Sequence, residues 1–254
     1  MASAATDKIV FWDILPAPGG CPYAQRAWIA FEELGVPYEH KLADVSDKPK
    51  EFTDLYKSIV KSDDSAKVPT IIDGDFKITE SMVVVDYLDA KYGKGNGLTP
   101  SDPQQAAEVK LFVEVFTSKF QGPFFKALRS ENDEQLTEAL KALEYGLEVL
   151  DDYVKASGRD EKPGYFLGSR YSLAETHTTP FLRRALVTLP YYKKVDVEQL
   201  AKEKGHTRLL QWFQASLDRD SNKKTGPSDD DIIKSFKKFV NADVSPGFQY
   251  KSTS

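Results

Sequence analysis

Residues 8–34 read K-I-V-F-W-D-I-L-P-A-P-G-G-C-P-Y-A-Q-R-A-W-I-A-F-E-E-L. The apolar, aromatic-rich run at 8–13 predicts a short strand. Pro16-Ala17-Pro18-Gly19-Gly20 predicts a turn. A helix then starts at Pro22, because a first-turn proline loses no hydrogen bond. Ala27, Ala30, Phe31 and Leu34 give that helix one apolar face, and Gly35 stops it. Cys21, the only cysteine in the chain, sits where the turn meets the helix. A thiol there faces the open N–H groups of the first helical turn, and those donors favour the thiolate. The thiolate is the form that attacks disulfides. Arg26, within the next turn, either adds positive potential or points to solvent. A lone cysteine is more often a small buried hydrophobe. The strand–turn–helix setting and the Gly19-Gly20 pair favour the reactive reading here.

Outward from this stretch, strands and helices alternate. Residues 38–42 predict a second strand, 49–60 an irregular helix, and 68–72 a third strand. Asp73-Gly74 is a hairpin signal, with the return strand at 76–78. Glu80-Ser81 opens a helix carrying Val84, Val85, Leu88 and Tyr92. The order β-α-β-α-β-β-α is that of a thioredoxin fold, with a parallel first half and an antiparallel hairpin in the second. Residues 91–103 are rich in Gly, Pro and polar residues. After Pro103 the apolar positions recur only at helical spacing: Val109 to Phe120, Leu136 to Val154, a helix opened by the capping box Ser172-Leu173-Ala174-Glu175, one helix over 197–217, and one after Ser228-Asp229-Asp230-Asp231. That acidic run suits a helix N-terminus. The last dozen residues read as a docked or frayed tail. The expected fold class is therefore α/β plus all-α: a thioredoxin-like domain at 1–92, a linker at 93–103, and a helical-bundle domain with a C-terminal tail at 104–254.

The composition narrows the chemistry. At 254 residues, 41% hydrophobic and 29% charged, the chain has ample material for a core. A net charge of −5 does not suggest a nucleic-acid or membrane binder. One cysteine allows no internal disulfide and suits a reducing compartment. Residues 1–7 show no basic segment leading into an apolar one, and no apolar run is long enough to span a bilayer, so a cytoplasmic protein is expected. The three histidines, His40, His177 and His206, are scattered without metal-ligand spacing, so no metal is expected. There is no phosphate-binding glycine motif.

Cys21-Pro22-Tyr23 resembles the start of the glutaredoxin C-P-Y-C motif, with Ala24 in place of the second cysteine. C-P-Y-A-Q-R-A-W-I-A followed by a helical half is similar to the cytosolic glutathione transferase superfamily. The likeness is strongest to its cysteine-type members, the omega and lambda classes and the dehydroascorbate reductases. It extends over nearly the whole chain, with Cys21 to Ala30, Lys67-Val68-Pro69 and Glu80-Ser81 its specific parts. The resemblance implies glutathione as co-substrate, because a monothiol site needs an external thiol to resolve its mixed disulfide. It implies that Val68, before a cis Pro69, pairs with the cysteinyl unit, and that Glu80 and Ser81 hold the γ-glutamyl end. It makes Lys57 and Lys67 candidates for the glycine carboxylate, Lys57 being the weaker match. Each of these residues has a plain alternative: an edge-strand proline, a helix N-cap at Ser81, or surface charges.

Tyr23 is the rival catalytic group, since many glutathione transferases use a hydroxyl to stabilise the glutathione thiolate. The resemblance also implies a second-substrate pocket between the halves. Phe116, Phe120, Phe124, Phe125 and Trp212 could line it, although core packing explains most of them more simply. The expected activity is that of a glutathione-dependent thiol transferase, deglutathionylase or dehydroascorbate reductase. A conjugating transferase, and a non-enzymatic ligand carrier or chloride-channel-like protein, remain as alternatives. The polar Gln25 and the charged Arg26, Glu32 and Glu33 argue against membrane insertion of the first helix. The partners expected are glutathione and a small disulfide or electrophile, in a monomer or homodimer.

Overall fold

A computed structural model describes residues 8–44, 46–95, 97–157, 159, 162 and 164–252. Two compact units emerge. The described residues up to Leu98, joined by Lys224–Pro227, form the first; those from Thr99 to Lys223 and from Ser228 onward form the second.

In the first unit, β1 (Ile9–Leu15) lies parallel to β2 (Tyr38–Asp44) and antiparallel to β3 (Thr70–Asp73). The hairpin partner β4 (Phe76–Thr79) completes a sheet of order β2-β1-β3-β4. Helices α1 (Pro22–Leu34), α2 (Lys50–Val60) and α3 (Ser81–Tyr92) complete the thioredoxin-like order. The strand β1 is covered on both faces. Phe11 packs on Phe31 of α1 with ring centroids 5.3 Å apart, and Trp12 stacks on Phe52 of α2 at 5.0 Å. Such a strand reads as a continuous apolar run rather than an alternation. It extends to Leu15, two residues past the expected end, because pairing with β2 continues to Leu15 opposite Asp44. Gly35 ends α1 in the left-handed conformation, its N–H bonding back to Glu32 and Phe31.

The third strand begins at Thr70, not at residue 68. Pro69 has no N–H to give a ladder, and side chains take up the carbonyls here. The Thr70 hydroxyl donates to the Lys67 carbonyl at 2.9 Å, and the Thr79 hydroxyl donates to the Pro69 carbonyl at 2.8 Å. The Val68–Pro69 peptide bond is cis. Past α3 the chain stays with the first unit: the buried Asp89 carboxylate accepts the Leu98 N–H at 2.5 Å, and Leu98 itself is buried.

The second unit is helical. It contains α4 (Pro103–Phe116), α5 (Gly122–Arg129), α6 (Asp133–Ala156), α7 (Leu173–Lys193), α8 (Val197–Glu203), α9 (Thr207–Asp218) and α11 (Asp229–Phe236); α10 (Asp220–Thr225) precedes α11 and ends in the Lys224–Pro227 segment of the first unit. Among its described residues no strand occurs, only two bridge pairs, Tyr165 with Gly168 and Leu167 with Arg170. The single helix expected over 197–217 is two. Gly205 turns the chain at φ 72° between α8 and α9, and the buried Asp151 carboxylate receives the Leu209 N–H at 3.1 Å beyond the break. The first helix of this half likewise divides, with a wider turn at Thr117–Gln121 between α4 and α5. There the α6 backbone comes so close that a Cβ on Gly146 would lie 1.9 Å from the Lys119 carbonyl oxygen.

The capping box at Ser172 forms and is buried. Both Glu175 carboxylate oxygens are used: one accepts the Phe166 N–H at 2.7 Å and the Trp212 indole N–H at 2.9 Å, the other the Ser172 N–H and hydroxyl, each at 3.0 Å. Burial pushes the Glu175 carboxyl up, and these donors oppose it. Phe116, Phe120, Phe124 and Trp212 are fully buried and serve as core. The tail is docked: Lys193 donates to the Ala242 carbonyl at 2.7 Å and the Tyr250 hydroxyl to Glu144 at 2.7 Å. Among the described residues, no helix is long and apolar enough to cross a membrane.

Candidate active site

The C-terminal ends of the parallel strands β1 and β2 open on the same side, and the site is built there. Asp13, fully buried in β1, fixes the turn that follows: its carboxylate accepts the Ile14 and Gly19 N–H groups, each at 2.7 Å. Gly19 adopts φ 72°, and a Cβ there would lie 2.0 Å from the Thr225 carbonyl oxygen. Only glycine fits such a place. The Gln25 side chain donates to the Thr225 hydroxyl at 3.3 Å, so the turn and the first turn of α1 rest on the same short segment.

Cys21 is the N-cap residue of α1, with extended backbone angles and Pro22 at the first helical position. Its carbonyl accepts the Gln25 N–H at 3.0 Å, which starts the helix, while its side chain makes no capping bond. The cysteine is half-buried. Arg26 does not point to solvent: it is 4% exposed, donates to the Ser81 hydroxyl at 3.3 Å, and lies over the Tyr23 ring at 5.4 Å. Burial draws its pKa down to about 10, against the opposing pull of Tyr23 and Cys21 in their anionic forms, so it keeps its charge at neutral pH.

Ser81 opens α3, buried at 6% exposure, but the N-cap is Glu80 rather than Ser81. Glu80 holds φ 72°, a strained conformation for a non-glycine residue. Such strain costs about 1–3 kcal/mol and gathers at ligand sites. The exposed Glu80 side chain stands beside the start of a helix whose first N–H groups suit an anion.

Two cavities of about 310 and 270 Å³ share Tyr23, Lys67 and Val68 as a common wall. The first adds Pro69, Thr79, Glu80 and Ser81. The second contains Cys21 and is otherwise mainly apolar, with Phe52 and Ala66. Seven of the residues singled out in the sequence, Cys21, Tyr23, Lys67, Val68, Pro69, Glu80 and Ser81, thus lie along one continuous depression. Lys57 does not line it; its ammonium pairs with Asp63 at 2.9 Å on the surface. Sequence reasoning passed over Lys48, which lines the cavity beside Cys21 and donates to the Ser65 hydroxyl at 2.5 Å. Its signal was topological: it lies in the turn at the C-terminal end of β2, the strand parallel to the one that leads to Cys21. Among the described residues, no group of three or more His, Cys, Asp or Glu side chains could hold a metal.

A sequence profile for the N-terminal domain of glutathione S-transferases matches residues 19–97. The stretch runs from the turn before Cys21 past the end of α3, and it marks the first unit as a thioredoxin-like domain of the glutathione transferase type. A probable cytosolic glutathione S-transferase of Oryza sativa subsp. japonica, DHAR1, is 30% identical over 225 residues, which covers 88% of this chain and 92% of the relative. Glutathione S-transferase DHAR2 of Arabidopsis thaliana is 28% identical over the same shares. The chain belongs to the glutathione S-transferase family and is a glutathione transferase enzyme. The fold agrees with solved structures: an omega 3C glutathione transferase from Trametes versicolor superposes with TM-score 0.73 at 24% identity, over 88% of this chain and 91% of that one. The dehydroascorbate reductase of Chlamydomonas reinhardtii gives 0.70 at 20% identity, over 93% and 100%.

Proposed function

We propose that this enzyme is a glutathione-dependent thiol transferase of the monothiol type, acting as a deglutathionylase or dehydroascorbate reductase in the cytoplasm. The observation that carries the reading is the sole cysteine, at the N-cap of α1 and opening on the cavity beside Val68. The Cys21 thiolate attacks the glutathionyl sulfur of a mixed disulfide, so that a new S–S bond forms and the target leaves as a thiolate that takes up a proton. A second glutathione thiolate attacks that bond, releasing glutathione disulfide and restoring Cys21. With dehydroascorbate the net change is two glutathiones oxidised to the disulfide, and two electrons and two protons passed to the acceptor. Lacking a second cysteine, the chain cannot complete either cycle alone.

In this reading glutathione lies along the depression. Its γ-glutamyl group is at Glu80 and Ser81, its cysteinyl unit beside Val68 and cis Pro69, and its glycine carboxylate at Lys67 and Lys48. A Ser81→Ala variant loses a charge-assisted hydrogen bond of about 1.5–3 kcal/mol. Glutathione affinity in calorimetry is expected to fall roughly 10- to 150-fold; an unchanged affinity moves the γ-glutamyl end elsewhere. Lys48→Ala is expected to raise the KM for glutathione several-fold, while Lys57→Ala leaves it level. The opposite order would restore Lys57 as the glycine anchor. Conjugation is the competing activity, favoured by the Tyr23 hydroxyl on the shared wall of the cavities. Parallel assays with a glutathione mixed disulfide, dehydroascorbate and an aromatic halide decide between them: turnover of the halide alone overturns the thiol-transferase reading.

A further inference from the structure

We propose that Arg26 is a positioning residue that joins the two ends of the site, holding the Ser81 hydroxyl for the γ-glutamyl carboxylate while its charge favours the Cys21 thiolate. The inference rests on the reading of Cys21 as the nucleophile. Three observations support it. Arg26 stands five residues beyond Cys21, in the second turn of the helix that Cys21 caps, so both belong to the start of α1. It is 4% exposed, and a buried guanidinium is costly unless its charge is compensated. It contacts the first residue of α3 through Ser81 at 3.3 Å and the wall shared by both cavities through the Tyr23 ring at 5.4 Å.

The direction of these contacts matters. A hydroxyl has one donor and two acceptor sites. With an Arg26 N–H filling one acceptor site, the Ser81 O–H remains able to donate to an incoming carboxylate. The polarised pair is a stronger donor than a lone serine. The same guanidinium is a buried positive charge in the helix that Cys21 caps, and burial weakens its screening by water. Burial lowers its pKa only to about 10, so the charge persists through the range in which a cysteine titrates. One side chain therefore acts on two measurable quantities, glutathione affinity and the cysteine titration. Its charge and its hydrogen bond can be removed separately.

Two variants divide the roles. Arg26→Gln keeps an N–H donor but loses the charge. The midpoint of thiolate absorbance is expected to rise by about one unit, a tenfold change in the thiol–thiolate equilibrium. The acid limb of the kcat/KM profile should move with it. Arg26→Lys keeps the charge but loses the planar reach to Ser81: the midpoint should hold within a few tenths of a unit while the KM for glutathione rises about fivefold. Circular dichroism checks that each variant is folded. A folded Arg26→Gln protein with an unmoved midpoint overturns the proposal. Should Arg26→Gln not fold, Arg26→Lys decides alone: a held midpoint with raised KM supports the coupling, and any other combination overturns it. A Cys21→Ser control assigns the absorbance step, which must vanish with the only cysteine, and its turnover separates this from the functional reading: retained reductase activity shows that the assigned nucleophile, not Arg26, is wrong.

Discussion

A Cys21→Ser variant is expected to lose reduction of glutathione mixed disulfides and of dehydroascorbate by at least roughly a thousandfold. A serine hydroxyl is a poor nucleophile towards sulfur and cannot form the mixed disulfide on which the cycle depends. Glutathione binding should survive, since Ser81, Glu80 and the backbone at Val68 are untouched. Conjugation of an aromatic halide is expected to rise, because a hydroxyl can hydrogen-bond the glutathione thiolate where the cysteine captures it. The stability should also move in a telling direction. Cys21 occupies an N-cap without making a capping bond, and serine is among the favoured N-cap residues, worth about 0.5–2 kcal/mol over a residue that cannot cap. The variant is thus expected to be as stable as the native chain or slightly more so, which excludes unfolding as the cause of lost activity. Turnover assays on the three substrates and a thermal melt test this together. Retention of reductase activity in the serine variant would remove Cys21 from the mechanism.

The part of the site that lies on regular elements was legible from residue types. A proline one position into a helix, a cysteine before it and two glycines before that define a strand–turn–helix whatever surrounds them. What escaped was set by tertiary contact. Gly19 is required by the approach of Thr225, a residue some two hundred positions away, and nothing local to either reveals it. Arg26 could be read as a surface charge until the packing of α3 brought Ser81 against it. Lys48 and Lys57 are both lysines in polar surroundings; Lys48, just past the end of β2, lies beside the cysteine, whereas Lys57 lies on α2 and pairs with Asp63 at the surface. Helix ends in the second unit escaped for a related reason. An apolar period continues through residues 197–217, because both α8 and α9 face the core, while the break at Gly205 is made by one backbone turn and the Asp151 carboxylate. Periodicity reports which face is buried; it does not report where the chain changes direction.

Glu175 shows how much a correctly read motif can leave out, and its removal is the second large effect expected. The capping box was visible as Ser172 followed by a glutamate at the third helical position, and that alone accounts for one carboxylate oxygen. The other oxygen is taken by the Phe166 N–H and the Trp212 indole, from a loop and from α9. The side chain therefore fastens three segments of the second unit, in full burial. Glu175→Gln keeps the shape but offers one acceptor oxygen and an amide that only donates. If the oxygen serves Phe166 and Trp212, the amide faces the Ser172 N–H, donor against donor. If the amide is turned round, the other pair is orphaned. Leaving a buried donor unsatisfied costs about 1–3 kcal/mol, and more where a charged acceptor was lost. With two donors affected, the loss should be roughly 2–5 kcal/mol. For a unit of this size each kcal/mol shifts Tm by about 2–4 °C, so a fall of roughly 4–20 °C is expected in a thermal melt. All the residues assigned to glutathione lie in the first unit, so well below the melting range the KM for glutathione should stay at its native value. A variant that melts within about 2 °C of the native protein would show that water or relaxation of the 165–172 segment replaces the missing acceptor, and that the capping box is a local feature rather than a three-way fastening.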